Sequence, residues 1–281
     1  MIIFTKVQAL QDYISTRKKD GKKIGFTPTM GALHAGHLSL IDLARKHCQI
    51  TVVSIFVNPT QFNNPQDFAK YPITIEQDCI LLEKAQVDVL FLPSVEEMYP
   101  SGTMLKKLYE LGNLENVLDG KYRPGHFQGV CQVVERLLRI VKPDELFLGQ
   151  KDLQQCMVLK RLIGIMGVQL QLTIAPTLRE PSGLAMSSRN LRLSADQLLQ
   201  ATAIYQQLNF IKSNIETIPA VELKQKASEA LLDAGFSKVD YVEIVNADTL
   251  ESIEIYQPQQ QKVALVAAFL GDVRLIDNIF L

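Results

Sequence analysis

The sequence predicts an α/β protein: a Rossmann-like, doubly wound parallel sheet followed by a smaller α+β domain. Three observations carry this. Apolar or β-branched runs alternate with helical patterns up to Ala175, and such alternation implies a parallel sheet with helices on both faces. Beyond Ala175 the pattern becomes two helices and then short strands. The chain has 281 residues, 47% of them hydrophobic and 21% charged, which suits one large and one small domain. The division is placed at 1–177 and 178–281.

The elements follow in order. Residues 23–27 form a short strand ending at Pro28. Residues 37–47 carry Leu38, Ile41, Leu43 and Ala44 at helical spacing. Residues 50–57 are a β-branched run that Asn58 and Pro59 end. Residues 75–85 are helical, and 87–92 form a strand before Pro93. Phe127, Val130, Val134, Leu137, Leu138 and Val141 define one helical face. A strand at 145–148, a helix at 152–166 and a period-two strand at 168–174 complete the first part. Then Ser194 and Gln197 have capping-box spacing and open a helix reaching Leu208. A second helix spans 221–234, with Gly235 placed to cap it. Strands are expected at 239–245, 262–269 and 272–276, and a turn at 257–261 (QPQQQ).

Composition excludes several classes. Twenty-nine Lys and Arg against 30 Asp and Glu leave a net charge of −1, without the basic surplus of a nucleic-acid binder. The longest uninterrupted apolar run, 263–270, is far short of the roughly 20 residues of a membrane span. No positive leader precedes a long apolar stretch, so no signal peptide is expected. Cys48, Cys79, Cys131 and Cys156 are widely spaced and form no CxxC pair. Reduced, mostly buried thiols in a cytoplasmic protein are expected. HExxH, Walker A and GxGxxG patterns do not occur, so zinc protease, P-loop and dinucleotide readings lack support.

In a doubly wound sheet, ligands bind beyond the carboxyl ends of the strands. Four segments there carry chemistry. The first, Pro28-Thr-Met-Gly-Ala-Leu-His34-Ala-Gly-His37, follows a strand and opens a helix. A helix N-terminus offers unpaired N–H groups to a phosphate, and two imidazoles beside it can donate to phosphoryl oxygens. The second, Asn58-Pro-Thr-Gln61-Phe62, could read a carboxylate or hydroxyl without adding charge, or could be a plain turn. The third, Gly149-Gln-Lys151-Asp152-Leu-Gln-Gln155, joins a strand to a helix; it is a second phosphate or ribose site or a capped helix with an exposed lysine. The fourth, Met186-Ser-Ser-Arg-Asn190, combines two hydroxyls and a guanidinium in a loop suited to phosphate, or is a linker. Arg123-Pro-Gly-His126-Phe127 is either a further site element or a type II turn. Asp78 and Glu76 could hold a metal indirectly, or are solvated helical carboxylates.

Taken in this order, the motifs resemble those of the pantoate–β-alanine ligase family of the HxGH and KMSKS-like nucleotidyltransferase superfamily. The resemblance runs nearly end to end. Its markers are Pro28-Thr-Met-Gly with His34-Ala-Gly-His37, Val53-Ser-Ile-Phe-Val-Asn-Pro59, Arg123-Pro-Gly-His-Phe127, Phe147-Leu-Gly-Gln-Lys-Asp152, Met186-Ser-Ser-Arg-Asn190 and Leu270-Gly-Asp-Val-Arg-Leu-Ile-Asp-Asn278. It implies a two-step reaction in which ATP and pantoate give pantoyl adenylate and pyrophosphate. The amine of β-alanine then displaces AMP to give pantothenate. It implies that Met30, Gly31, Ala32, Leu33, His34, Ala35, Gly36 and His37 line the ATP site, with His37 the proton donor to the leaving pyrophosphate. Gly149, Gln150, Lys151 and Asp152 hold adenine and ribose, and Lys151 also reaches a phosphate. Leu178 packs near adenine through its backbone, and Met186, Ser187, Ser188 and Arg189 close over the triphosphate. Gln61 and Gln155 hold pantoate, and Gln61 also touches β-alanine. His34, His37, Lys151 and Arg189 are the catalytic set. No protein-bound metal is expected; Mg²⁺ accompanies ATP as part of the substrate. A homodimer through the N-terminal domain is also implied.

The chain departs from the family pattern at Ile73, where a basic residue is expected, and at Gln77, where an acidic one is. Residues 103–116, which include Lys106 and Lys107, are expected to cover the mouth of the site or a subunit interface. Three rival readings stand beside this one. A tRNA-charging relative would need an RNA-binding surface, which a net charge of −1 does not suggest. A phosphopantetheine-type adenylyltransferase would need little beyond the HxGH half, and a nucleotide-binding regulatory module would not need all of His34, His37, Lys151, Ser187, Ser188 and Arg189.

Overall fold

The computed structural model describes residues 1–63, 65–105, 107–253 and 259–281. Lys106, Gln257 and Pro258, singled out above, lie outside the described residues. The larger sheet has six parallel strands: β1 (Ile2–Phe4), β2 (Ile24–Thr29), β3 (Ile50–Ile55), β4 (Val89–Phe91), β5 (Glu145–Gly149) and β6 (Gln171–Ala175). Its spatial order is β1-β4-β3-β2-β5-β6. The interleaved helices are α1 (Val7–Lys19), α2 (Ala35–His47), α3 (Pro65–Ala69), α4 (Ile75–Lys84), α5 (Val95–Met98), α6 (Leu118–Tyr122), α7 (His126–Val141) and α8 (Leu153–Met166). The C-terminal unit has α9 (Ala195–Ala201), α10 (Ala203–Asn214) and α11 (Ala220–Asp233). Its antiparallel sheet is β7 (Lys238–Asn246), β8 (Lys262–Leu270) and β9 (Val273–Phe280).

Side-chain alternation sorts the parallel strands into two apolar faces. Ile24, Phe26, Val52, Val89, Phe91, Leu146 and Leu148 share one core with Leu10 and Ile14 of α1, most of α7, and Cys156 and Leu159 of α8. Val53, Ile55 and Leu90 pack with Ile41 of α2 and Leu82 of α4 on the other, and Phe147 packs there with Ala44 and Cys48. Helices therefore cover both faces, as the alternating pattern requires. A separate core joins α10 and α11 to the three-stranded sheet.

From β2 the chain moves out to β3 and β4, and later returns to the opposite side of β2 with β5. The carboxyl ends of β2 and β5 therefore flank the point where strand order reverses, which is where such sheets open a ligand crevice.

The element readings differ from the structure in a few places. β2 runs through Pro28 to Thr29, because pairing with β5 has already ended at Phe26 and a missing N–H costs no bond on that side. The helix from Ser194 is two helices, and the second continues to Asn214. The last strand reaches Phe280 rather than Ile276. β1 and α1 add to the expected elements: β1 is a three-residue edge strand, mostly exposed, and α1 buries Leu10 and Ile14. All four cysteines are free thiols, three of them buried.

Candidate active site

The β2–α2 corner is built from backbone outward. Past Thr29 the chain turns through Gly31 (φ 82) and Ala32 (φ 49), the left-handed region. Its amides are held from behind. Gly31 N–H donates to Thr29 Oγ1 at 3.2 Å, and the Asp78 carboxylate accepts from Ala32 N–H at 2.9 Å and Leu33 N–H at 2.8 Å. Asp78 is 1% exposed, and Thr74 Oγ1 also donates to it. This carboxylate is a clamp for the corner, a role the sequence did not reveal because its partners lie about 45 residues away.

The two histidines complete the corner. His34 caps α2: its Nδ1 accepts from Gly36 N–H at 3.1 Å, while His37 Nδ1 accepts from His34 N–H at 3.4 Å. The rings lie 4.1 Å apart between centroids. A Cβ at Gly36 would fall 2.8 Å from His34 Cε1, so any larger residue there would displace the imidazole from its capping position. With both Nδ1 atoms accepting, a neutral imidazole carries its proton on Nε2. Burial pushes His34 down to about 4, helped by Lys151. Burial pushes His37 to about 3, with His34 and Lys151 adding to the effect. Both rings are thus neutral near pH 7. This corrects one expectation. The helix start offers a ligand few bare backbone N–H groups, because the imidazoles and Asp78 occupy them; the donors it presents are the two Nε2–H groups.

A cleft of about 300 Å³ opens above this corner. Met30, His34, Gly36 and His37 line it, whereas Gly31, Ala32, Leu33 and Ala35 do not. Gly149, Lys151 and Asp152 also line it. Gln150 instead turns to the C-terminal unit, where its Nε2 donates to Asn278 Oδ1 at 3.1 Å. Asn278 Nδ2 in turn donates to the Gln150 and Lys151 carbonyls at 2.9 and 3.0 Å, so β9 fixes the turn that carries Lys151. Gln155 lines the cleft from the first turn of α8 and makes no side-chain hydrogen bond to another described residue.

The segment at Asn58 is more than a turn. Asn58 is 1% exposed; its Oδ1 accepts from Tyr99 Oη at 2.8 Å and its Nδ2 donates to Gln61 Oε1 at 3.2 Å. Gln61 Nε2 reaches Met30 Sδ at 2.9 Å, tying the segment to the corner. Gly129 of α7 allows this segment its close approach, because a Cβ would lie 2.2 Å from the Thr60 carbonyl oxygen. His126 Nδ1 donates to the Gln61 carbonyl at 2.8 Å, and its Nε2 accepts from Arg123 Nη1 at 3.0 Å. Burial holds His126 down to about 3, with Arg123 adding to the effect, so this ring too is neutral.

Leu178, Met186, Ser187, Ser188 and Arg189 form the wall contributed by the later part of the chain. Leu178 O accepts from Met186 N–H at 3.1 Å. Ser188 Oγ donates to Ala32 O at 2.9 Å, a direct bond between this loop and the HxGH corner. Arg189 and Arg192 both grip Asp67 of α3, at 2.9 and 2.8 Å, and Arg192 and Lys70 share Asp272. Burial alone would raise Asp67, but the two guanidiniums outweigh it and hold the carboxyl below its usual range. Among the described residues of 103–116, none lines the cleft. Tyr109 and Leu111 are buried in the main core, and Tyr109 Oη donates to Glu135 of α7 at 2.6 Å. The segment's described residues bond both α7 and α8: Lys107 pairs with Glu135, and Arg161 Nε donates to the Glu110 carbonyl at 3.2 Å. Ile73 is 73% exposed.

The comparisons with known proteins agree with one another. The family model for pantoate-beta-alanine ligase matches residues 2–280. A pantothenate synthetase of Cytophaga hutchinsonii is 43% identical over 281 residues, covering 99% of each chain. One of Caldicellulosiruptor bescii is 42% identical, covering 99% of this chain and 98% of its own. The crystal structure of pantothenate synthetase from Thermus thermophilus superposes with a TM-score of 0.91 at 37% identity, covering 99% of both chains. A pantoate-beta-alanine ligase from Francisella tularensis, complexed with beta-gamma ATP and beta-alanine, superposes with a TM-score of 0.84 at 38% identity, covering 99% of this chain and 97% of its own. The chain belongs to the pantoate–β-alanine ligase family.

Proposed function

We propose that this enzyme condenses pantoate with β-alanine at the expense of ATP, through pantoyl adenylate, releasing pyrophosphate and AMP. One observation carries the reading. Two neutral imidazoles present Nε2–H donors into a cleft that Lys151 and Arg189 also line and that holds the amides of Gln61 and Gln155. That is an uncharged donor pair for a triphosphate beside amide groups for a polar acid. The match to an ATP- and β-alanine-complexed relative supports it.

In the first step pantoate's carboxylate attacks the α-phosphorus, and the bond to pyrophosphate breaks. No covalent protein nucleophile is needed; the work is alignment and stabilisation of growing negative charge. His34 and His37 do this as hydrogen-bond donors at Nε2. His37 is the candidate proton donor to the leaving pyrophosphate; without ligand, burial holds its ring neutral, with Nε2–H as the donor it presents. Gly149, Lys151 and Asp152 hold adenine and ribose, with Leu178 contributing backbone. Met186, Ser187, Ser188 and Arg189 enclose the triphosphate, which competes with Asp67 for Arg189. Gln61 and Gln155 orient pantoate, and Gln61 also meets β-alanine. In the second step the amine attacks the acyl carbon and AMP leaves. We read residues 178–281 as the unit that closes over the adenylate, which shields it from water.

Mg²⁺ enters as part of the ATP substrate. Among the described residues no group of three or more His, Cys, Asp or Glu is placed to hold a metal, and the donors of the cleft suit phosphate oxygens rather than a bare cation. No described helix is long and apolar enough to cross a membrane, and we infer a cytoplasmic enzyme. The family resemblance supports a homodimer formed through the N-terminal part, which sedimentation would test. The activity is tested by pyrophosphate and AMP release with ATP, pantoate and β-alanine, each omitted in turn. Pyrophosphate should require ATP and pantoate, and pantothenate should require all three. AMP release that needs neither pantoate nor β-alanine would defeat the reading.

A further inference from the structure

The Arg123-Pro-Gly-His126 turn has no part in the roles assigned so far, yet Arg123 lines the cleft. Its guanidinium has two hydrogen-bond partners among the described residues, and both are neutral: His126 Nε2 at 3.0 Å and the Gln61 carbonyl oxygen at 3.5 Å. The other arginines around it are matched. Arg274 bonds Asp119 at 2.7 Å and Asp240 at 2.8 Å, and Arg189 bonds Asp67. Tyr241 Oη also donates to Asp119, at 2.9 Å. Arg123 therefore lacks a bonded counter-ion where its neighbours have theirs. A buried guanidinium in that condition costs free energy, and burial draws Arg123 down to about 10 despite nearby Asp119.

Its orientation is fixed. His126 is a neutral ring whose Nδ1–H is committed to the Gln61 carbonyl, so Nε2 must accept, and it accepts from Arg123. The same peptide carbonyl thus links the Arg123 fork to the residue whose amide side chain faces the reacting acid. Lys151 and Arg123 serve different ends of the cleft. The charge of Lys151 acts on His34 and His37, whereas that of Arg123 acts among Asp119, Arg189, Arg274 and Asp67.

We infer that Arg123, held by His126, is the anchor for the carboxylate of the amine substrate. The inference rests on the pantoate–β-alanine reading above. β-Alanine is a zwitterion with two carbons between its ammonium and its carboxylate. A guanidinium beyond Gln61 fixes the carboxylate by a forked, charge-assisted pair and leaves the amine facing the acyl carbon. The anchor sets chain length by geometry: a shorter amino acid falls short, and an amine without a carboxylate is not held. His126 is a positioning residue in this scheme, acting through Arg123.

The test separates the two steps. Wild-type enzyme is loaded with ATP, pantoate and pyrophosphatase so that pantoyl adenylate accumulates, and is then mixed with β-alanine or with propylamine, which lacks the carboxylate. Wild type should favour β-alanine by at least about 10²-fold in transfer rate at low amine, the scale of a charge-assisted pair. Propionate should compete with β-alanine in that step. Arg123→Met should erase most of the preference, lowering transfer to β-alanine far more than adenylate formation and leaving transfer to propylamine little changed. Arg123→Lys should restore part of it. Equal use of both amines by wild type, absence of competition by propionate, a preference unchanged in Arg123→Met, or a raised requirement for pantoate instead of β-alanine would overturn the inference. So would equal losses in both steps. The propionate and propylamine arms use wild type alone, so they decide even where the variants fail to fold. Wild type that forms no pantoyl adenylate would overturn the underlying reading instead.

Discussion

The two walls of the nucleotide cleft are built on opposite principles. At the β2–α2 corner, Gly31, Ala32 and Leu33 N–H are bonded from behind, and the imidazoles of His34 and His37 are locked through Nδ1. The corner is neutral and fixed before a ligand arrives, with Gly31, Ala32 and Leu33 buried and both imidazoles half-buried at the cleft. The Met186–Arg192 loop is charged, and its ties to the first part of the chain include the Ser188 bond to Ala32 O and the Arg189 and Arg192 pairs with Asp67. Ion pairs exchange partners readily when a stronger anion arrives, and a packed corner does not. The fixed wall suits transition-state donors, which must not reorganise; the exchangeable wall suits capture and closure.

Breaking the fixed wall should cost the most. His37→Ala should lower pantoyl adenylate formation in a single turnover by about 10²–10³-fold, the scale of losing one transition-state donor. A rate within a few-fold of wild type would remove His37 from that role. Asp78→Ala leaves two buried amides without their acceptor and should destabilise the fold by about 3 kcal/mol in urea unfolding. A loss of only a few tenths would show that the corner holds itself.

The neutrality of the corner has a pH consequence with a definite sign. His34, His37 and His126 have folded pKa values of about 4, 3 and 3, below the ordinary 6.5, so the unfolded chain binds more protons between those limits. Stability should therefore fall as pH drops below 6.5, with about three protons taken up on unfolding at pH 5. His126→Gln should remove about one of them. Proton uptake near zero would mean that the rings are already charged in the folded state.

Changes in the exchangeable wall should be smaller. Ser188→Ala should raise the KM for ATP by about fivefold, one hydrogen bond of roughly 1 kcal/mol, with little change in kcat. Asp67→Asn should lower the KM for ATP by a few-fold, because Arg189 no longer has to be taken from a carboxylate. A large drop in kcat from either change would place the loop among the fixed donors and erase the contrast.

The same contrast explains what the sequence made legible. Local chemistry was readable: His34-Ala-Gly-His37 after a strand, the Ser194–Gln197 capping box, and the β-branched run of β3 each declare themselves within a few residues. Relations across the chain were not. Asp78 looked like one more solvated helical carboxylate, and only the fold brings it beneath Ala32 and Leu33. Arg189 was read as facing phosphate, and its partner Asp67 lies 122 residues away. The amides of the α2 start looked bare because an imidazole serving as a helix cap is seldom considered. Asn278 sat in a recognised run without an evident task until β9 placed it on the Lys151 turn.

The preorganised, neutral imidazole pair is the centre of this account, and side-chain ¹⁵N NMR of His34 and His37 tests it most directly. At pH 6 without ligand, each ring should show a protonated Nε2 and an unprotonated, hydrogen-bonded Nδ1. An imidazolium signal from either ring at that pH, or a proton on Nδ1, would contradict it.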